Sequence, residues 1–191
     1  MNKITELQSI KNIEPYNLLK TLGITQAPVD VFEIAKSIGA NVDQSYDFEK
    51  LSFSGEVFLN QDHKPVIWVN PIDSTNRQRF TMAHELAHLV NDIIPNIGKE
   101  NENNKFHVTS NSLKRDGRQE SIEFRANEFA AQLLMPAEFI SVEASKIINT
   151  YKSIHGEKSK IPKDDFITQI SEVFEVSNQA MTIRLTRLGI I

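Results

Sequence analysis

The chain has no cysteine among its 191 residues. That excludes disulfides and thiolate metal ligands, so any metal site must be built from histidine and carboxylate. Long apolar runs are also missing. No stretch approaches the roughly 20 apolar residues of a membrane span. The first residues, Met1 to Glu6, carry no apolar signal core, and a cytoplasmic location is expected on that ground. Positive charge is not in excess: 21 Lys and Arg stand against 25 Asp and Glu, for a net charge of −4. Such a balance provides no general attraction for nucleic acid. What remains is the profile of an ordinary globular protein, long enough for one well-buried domain with a small appendage.

Punctuation along the chain divides it into helices, a small sheet, and more helices, which is an α+β order. Glu14 to Leu22 reads as a helix opened by Pro15 and closed by Gly23, and Val29 to Ile38 as a second with Asp30 near its start. Asn41 to Phe48 reads as a strand. Phe53 to Leu59 and Pro65 to Asn70 read as a hairpin across Asn60-Gln61-Asp62-His63. A long helix follows from Ser74 to Asp92, with Asp73 or Ser74 as its cap. Pro95 to Gly117 is polar and reads as an exposed loop. Helices are expected again at Arg118 to Met135 and Pro136 to Tyr151. After a linker from Ser153 to Lys160, two more are expected at Lys163 to Phe174 and Ser177 to Leu188. Internal repeats are not apparent. The domain expectation is residues 1–161 as one unit and 162–191 as a helical pair packed on it.

Within the long helix, His84-Glu85-Leu86-Ala87-His88 reads H-E-x-x-H. Residues four apart share a helix face, so the two imidazoles can aim at one point. Two neutral imidazoles suit Zn²⁺, and the carboxylate of Glu85 can reach a water at the metal rather than the metal itself. At roughly 100° per residue, Met82, Leu86, Leu89 and Val90 fill one side of this helix, while Phe80, His84, Ala87 and His88 fill another. A helix apolar on both sides is buried. Two histidines buried at one spot need a partner.

A catalytic zinc usually takes a third protein ligand. Asp92, Glu100, Glu102, His107, Glu120, Glu123 and Glu128 are the candidates after His88. On the next long helix the apolar side collects Ile122, Ala126, Phe129, Ala130, Leu133 and Leu134. Glu123 falls inside that arc, Asn127 just past its edge, Glu120 at the margin, and Glu128 away from it. A carboxylate in a core is costly unless a cation or proton meets it. A zinc ion on His84 and His88 would do so. The competing reading pairs Glu123 with a basic side chain.

Arg77-Gln78-Arg79-Phe80-Thr81-Met82-Ala83-His84-Glu85-Leu86-Ala87-His88 resembles the metal-binding helix of the ImmA/IrrE family of metallopeptidases. The stretch from Glu123 to Pro136, EFRANEFAAQLLMP, resembles that family's second motif. Pro28-Val29-Asp30-Val31 and the strand Pro65 to Asn70 are similar more weakly. The resemblance implies a zincin-like catalytic domain with a small β-sheet packed on the H-E-x-x-H helix. It also implies zinc ligands at His84, His88 and Glu123, and Glu85 as the catalytic base. The implied substrate is a protein, typically a helix-turn-helix repressor encoded beside the peptidase; other relatives resemble toxin–antitoxin components. His107, Tyr151 and His155 are candidates for a second oxyanion donor, each with the plainer reading of a surface residue.

The C-terminal helices resemble a helix-turn-helix, with Ser177 as the cap of the second. A DNA-binding or toxin–antitoxin-type regulator with a non-proteolytic zinc site is therefore the rival class. Charge opposes it: Lys163, Arg184 and Arg187 face Asp164, Asp165, Glu172 and Glu175. Packing of Ile167, Ile170, Val173, Phe174, Met181, Ile183, Leu185 and Leu188 against the catalytic domain is the favoured expectation, with direct nucleic-acid binding not expected.

Overall fold

A computed structural model describes residues 7–97, 107–109 and 117–191. Helix α1 (Pro15–Leu22) starts on proline, whose missing N–H costs nothing in a first turn, and stops at Gly23, left-handed at φ 71°. Asp30 caps α2 (Val31–Ser37) by accepting from the N–H groups of Phe32 and Glu33. The sheet has four strands in the order β1 (Asn41–Asp43), β3 (Pro65–Val69), β2 (Gly55–Leu59) and β4 (His107–Thr109). β1 runs parallel to β3, and β2 pairs antiparallel with both β3 and β4.

The expected hairpin is present, and Asn60 organises its turn by accepting from the N–H groups of Asp62 and Lys64. The expected strand Asn41 to Phe48 stops at Asp43. There the Asp43 carboxylate takes the Ser45 N–H at 2.8 Å, and Asp47 caps a 3₁₀ turn over Phe48–Lys50. Side chains that capture nearby backbone donors compete with a ladder. β4 lies inside the stretch expected to be loop throughout; residues 98–106 and 110–116 of that stretch, with Glu100 and Glu102, lie outside the described residues.

The H-E-x-x-H helix is α3 (Thr75–His88). Ser74 occupies its cap position without a side-chain cap bond. The helix does not continue as α to Asp92: Leu89–Ile93 widens into a π-helical turn, and Ile94–Asn96 closes as 3₁₀ around Pro95. α3 is the hub of the molecule, packed against α2, β2, β3 and α4 (Gly117–Leu134). Met82, Ala83, Leu86, Ala87, Leu89 and Val90 are all within 1% of complete burial.

α5 (Ala137–His155) runs one turn longer than its sequence signals suggest, until Gly156 at φ 97° ends it, so the expected linker is shorter. α6 (Lys163–Phe174) and α7 (Asn178–Arg187) follow, with Glu175 left-handed at φ 52° in the turn and Ser177 capping Ala180 N–H. Phe166, Ile167, Ile170, Phe174, Met181 and Leu185 are buried, but Ile183, expected in the same interface, is 47% exposed.

Arg79 fastens this pair to α3. It is 6% exposed, donates to the carbonyls of Val29, Phe174 and Glu175, and meets the Glu175 carboxylate at 3.1 Å. The ion pair adds little, because Glu175 is half exposed. The buried carbonyls are another matter. Arg79→Met should cost about 3 kcal/mol through their lost charged donors, read as a fall in Tm of roughly 6–12 °C for a domain of this size. An unchanged Tm would show that the staple contributes nothing.

Candidate metal centre

No local spacing rule joins α3 to α4, but their packing does. His84 and His88 sit one turn apart on α3, and Glu123 enters from the facing side of α4. The ligating atoms of the three lie within 4.8 Å of one another. His84 Nε2 and His88 Nε2 are 3.0 Å apart, with the rings edge-on at 74°. Glu123 Oε2 is 3.2 Å from His84 Nε2, and its Oε1 is 3.6 Å from His88 Nε2. The second distance is too long for a hydrogen bond, and Oε1 is buried with no hydrogen-bond partner.

The far ring nitrogens fix the tautomers. His88 Nδ1 meets Asp92 Oδ2 at 2.8 Å, and His84 Nδ1 meets Asn127 Oδ1 at 3.0 Å. Both partners are acceptors, so both Nδ1 atoms carry the hydrogen as donors. The two Nε2 lone pairs then face each other and a carboxylate, with no positive charge between them. Such a donor set is unsatisfied by itself and fits a divalent cation. Without one, a proton is the substitute. Burial opposes charge on His88, yet the pull of Asp92 and Glu123 outweighs it and lifts the pKa to about 9. The close approach of His84, and then of His88, holds Glu123 down to about 2 despite partial burial.

Glu85 is 1% exposed, and its Oε2 has no hydrogen-bond partner. Burial pushes its pKa up to about 7, against the opposing influence of His88 and His84. Gly55, at the start of β2, makes room for it. A Cβ there would collide with Thr81 Cγ2 and lie 3.3 Å from Glu85 Cγ. The strand backbone can approach the helix at Glu85 only because residue 55 has no side chain.

Of the other candidate ligands, Asp92 sits behind His88 rather than in the triad, Glu120 is exposed, and Glu128 pairs with Arg187. Tyr151 and His155 stack on each other at 4.1 Å, and His155 Nδ1 meets the Tyr151 carbonyl. The His107 side chain lies outside the described residues. Sequence reasoning passed over Asn127 as an orienting group, although it stands four residues from Glu123 and therefore on the same face; Asp92 stands four from His88 in the same way.

Two helices presenting His, His and Glu beside a small mixed sheet fit a zincin-like site. The chain belongs to the peptidase M78 family, whose IrrE N-terminal-like domain profile matches residues 29–186. No curated protein sequence matches it. A peptidase family implies a protein substrate, and the match spans both α3 and α4 as well as α6 and α7. No helix among the described residues is long and apolar enough to cross a membrane.

Proposed function

We propose that this chain is a zinc-dependent endopeptidase that cuts a specific regulatory protein, with a helix-turn-helix repressor as the substrate class. His84, His88 and Glu123 would hold the zinc, and Glu85 would act as the base. The observation that carries this reading is the Glu85 carboxylate, buried and unpartnered on the same helix as the two histidines. Zinc, when bound, supplies Lewis acidity that makes water a competent nucleophile at neutral pH and draws charge from a peptide carbonyl. Glu85 Oε2 accepts one proton from the attacking water as its oxygen bonds to the carbonyl carbon. The same carboxyl returns that proton to the amide nitrogen as the C–N bond breaks, which leaves one new carboxyl and one new amine terminus. Asn127 and Asp92 hold the two imidazoles in the tautomer that leaves Nε2 free.

We read residues 1–161 as the peptidase unit and 162–191 as a helical pair fixed to it. Arg79 and the buried faces of α6 and α7 support that division. A DNA-reading role for the pair gains little support, since Arg184 is buried and Arg187 is paired with Glu128. Cytoplasmic location and regulation belong to the same proposal.

The test is incubation of the zinc-loaded chain with the proteins encoded beside it, helix-turn-helix repressors first, followed by mass spectrometry. The expected result is cleavage at one or a few defined bonds, abolished by a chelator and restored by zinc. A stable complex with an intact partner would instead favour the rival, a zinc-holding regulator that does not cut.

A further inference from the structure

Beside the metal centre, α3, α4 and α7 enclose a groove of about 510 Å³. Phe80, Ala131 and Ile183 supply apolar wall, and Asn127 connects it to the site through its bond to His84. Phe80 also reaches toward the centre, its ring centroid 6.5 Å from that of His84. The groove accounts for Ile183, a large apolar side chain left 47% exposed on a helix whose other large apolar residues are buried. It turns the outer face of α7 toward the catalytic helix.

Its charges are unequal. Arg77, Arg184 and Arg187 line the groove against Glu128 alone. Arg187 is taken by Glu128 and lies over the Phe124 ring, and Arg77 is taken by Asp73. Arg184 is different. It is only 9% exposed, yet its one hydrogen bond runs from Nε to the Met135 carbonyl at 3.0 Å. Among the described residues no carboxylate pairs with it, and its two terminal amino groups have no partner. A guanidinium sheltered along most of its side chain, with a planar fork left open to the groove, is a receptor for a carboxylate.

We propose that this groove binds a segment of the protein substrate that brings an acidic side chain to Arg184 and an apolar side chain to the wall formed by Phe80, Ala131 and Ile183. The proposal deepens the peptidase reading and rests on it for the identity of the ligand as substrate. Arg184 and Ile183 would then set which proteins are cut. They would do so by holding the chain beside the zinc site and taking no part in proton transfer.

Binding tests it without turnover. A pooled library of random dodecapeptides is selected on the zinc-loaded Glu85→Gln protein. The selected peptides should share an Asp or Glu near a large apolar residue. Replacing that acid by its amide should weaken binding about 10-fold or more, the scale of a hydrogen bond to a charged group. In Arg184→Gln the difference between acid and amide should vanish. Ile183→Glu keeps the fold safe, because the position is exposed, and should repel the same peptides. An empty selection, a selection without acidic residues, or binding indifferent to both variants would overturn the proposal. The selected peptides are also given to the wild-type chain loaded with zinc. Arg184-dependent binding without cleavage there would sink the peptidase reading and leave the acidic-peptide groove standing.

Discussion

Glu85→Gln should lower kcat/KM for peptide cleavage by roughly 10²–10⁴-fold, the usual contribution of a positioned general base, while zinc content stays unchanged. The change is nearly isosteric. It therefore leaves the close approach of Gly55 to this side chain undisturbed, which Glu85→Ala would not. An amide oxygen cannot take up and return a proton at neutral pH, so the loss should fall on kcat. Substrate binding in the groove along α7 should survive, and KM should move little. The expectation is sharp because Glu85 has no structural employment: its Oε2 makes no hydrogen bond. A group removed from water and left unsatisfied is tolerated where function requires it. Cleavage retained within a few-fold would mean that another group serves as the base, and would remove Glu85 from the mechanism.

The parts of this site that follow helical periodicity are legible in the sequence. His84 and His88 share a face because they are four residues apart, and Glu123 is the carboxylate that falls inside the apolar arc of its own helix. The structure brings these three together. The same rule carried over the four-residue steps from His88 to Asp92 and from Glu123 to Asn127 would have found the orienting pair. By spacing alone Asp92 is equally a candidate ligand. Its true position depends on where the imidazole turns, and spacing does not contain that information.

Other features were illegible for physical reasons. β4 is three residues long, with Val108 as its one large apolar side chain, and its existence depends on pairing with Val57 and its neighbours some fifty positions earlier. Such non-local ladders leave no local signature. The strand at Asn41 was expected to run too far because Asp43 and Asp47 divert backbone donors into turns. Gly55 carries no local signal of its role, which appears only in the packing of α3 against β2, where a Cβ would meet Thr81 and Glu85. Ile183 fitted the apolar pattern of a packed helix. Only its exposure in the groove separates it from Met181 and Leu185 on the same helix.

Zinc should raise the thermal stability of this chain substantially, and the three ligands should account for the whole effect. A ligand that binds only the folded state stabilises by RT ln(1 + [L]/Kd), about 4 kcal/mol at a thousandfold excess over Kd. In a domain of this size that is a rise in Tm of roughly 8–16 °C. The site gives a structural reason to expect the effect. Metal-free, it holds two Nε2 atoms 3.0 Å apart beside a buried carboxylate oxygen with no hydrogen-bond partner, and a proton stands in for the cation. Zinc would displace that proton, engage all three donors and tie α3 to α4 at once. His88→Ala and Glu123→Ala should each abolish the zinc-dependent shift, measured by scanning fluorimetry against a chelator-treated control. Glu85→Gln should keep it in full. Asn127→Ala and Asp92→Ala should keep a reduced shift, with zinc affinity lower by about 10–100-fold, since they act only by orienting the imidazoles. A full shift in Glu123→Ala would exclude that residue as a ligand and place the third donor elsewhere in the chain.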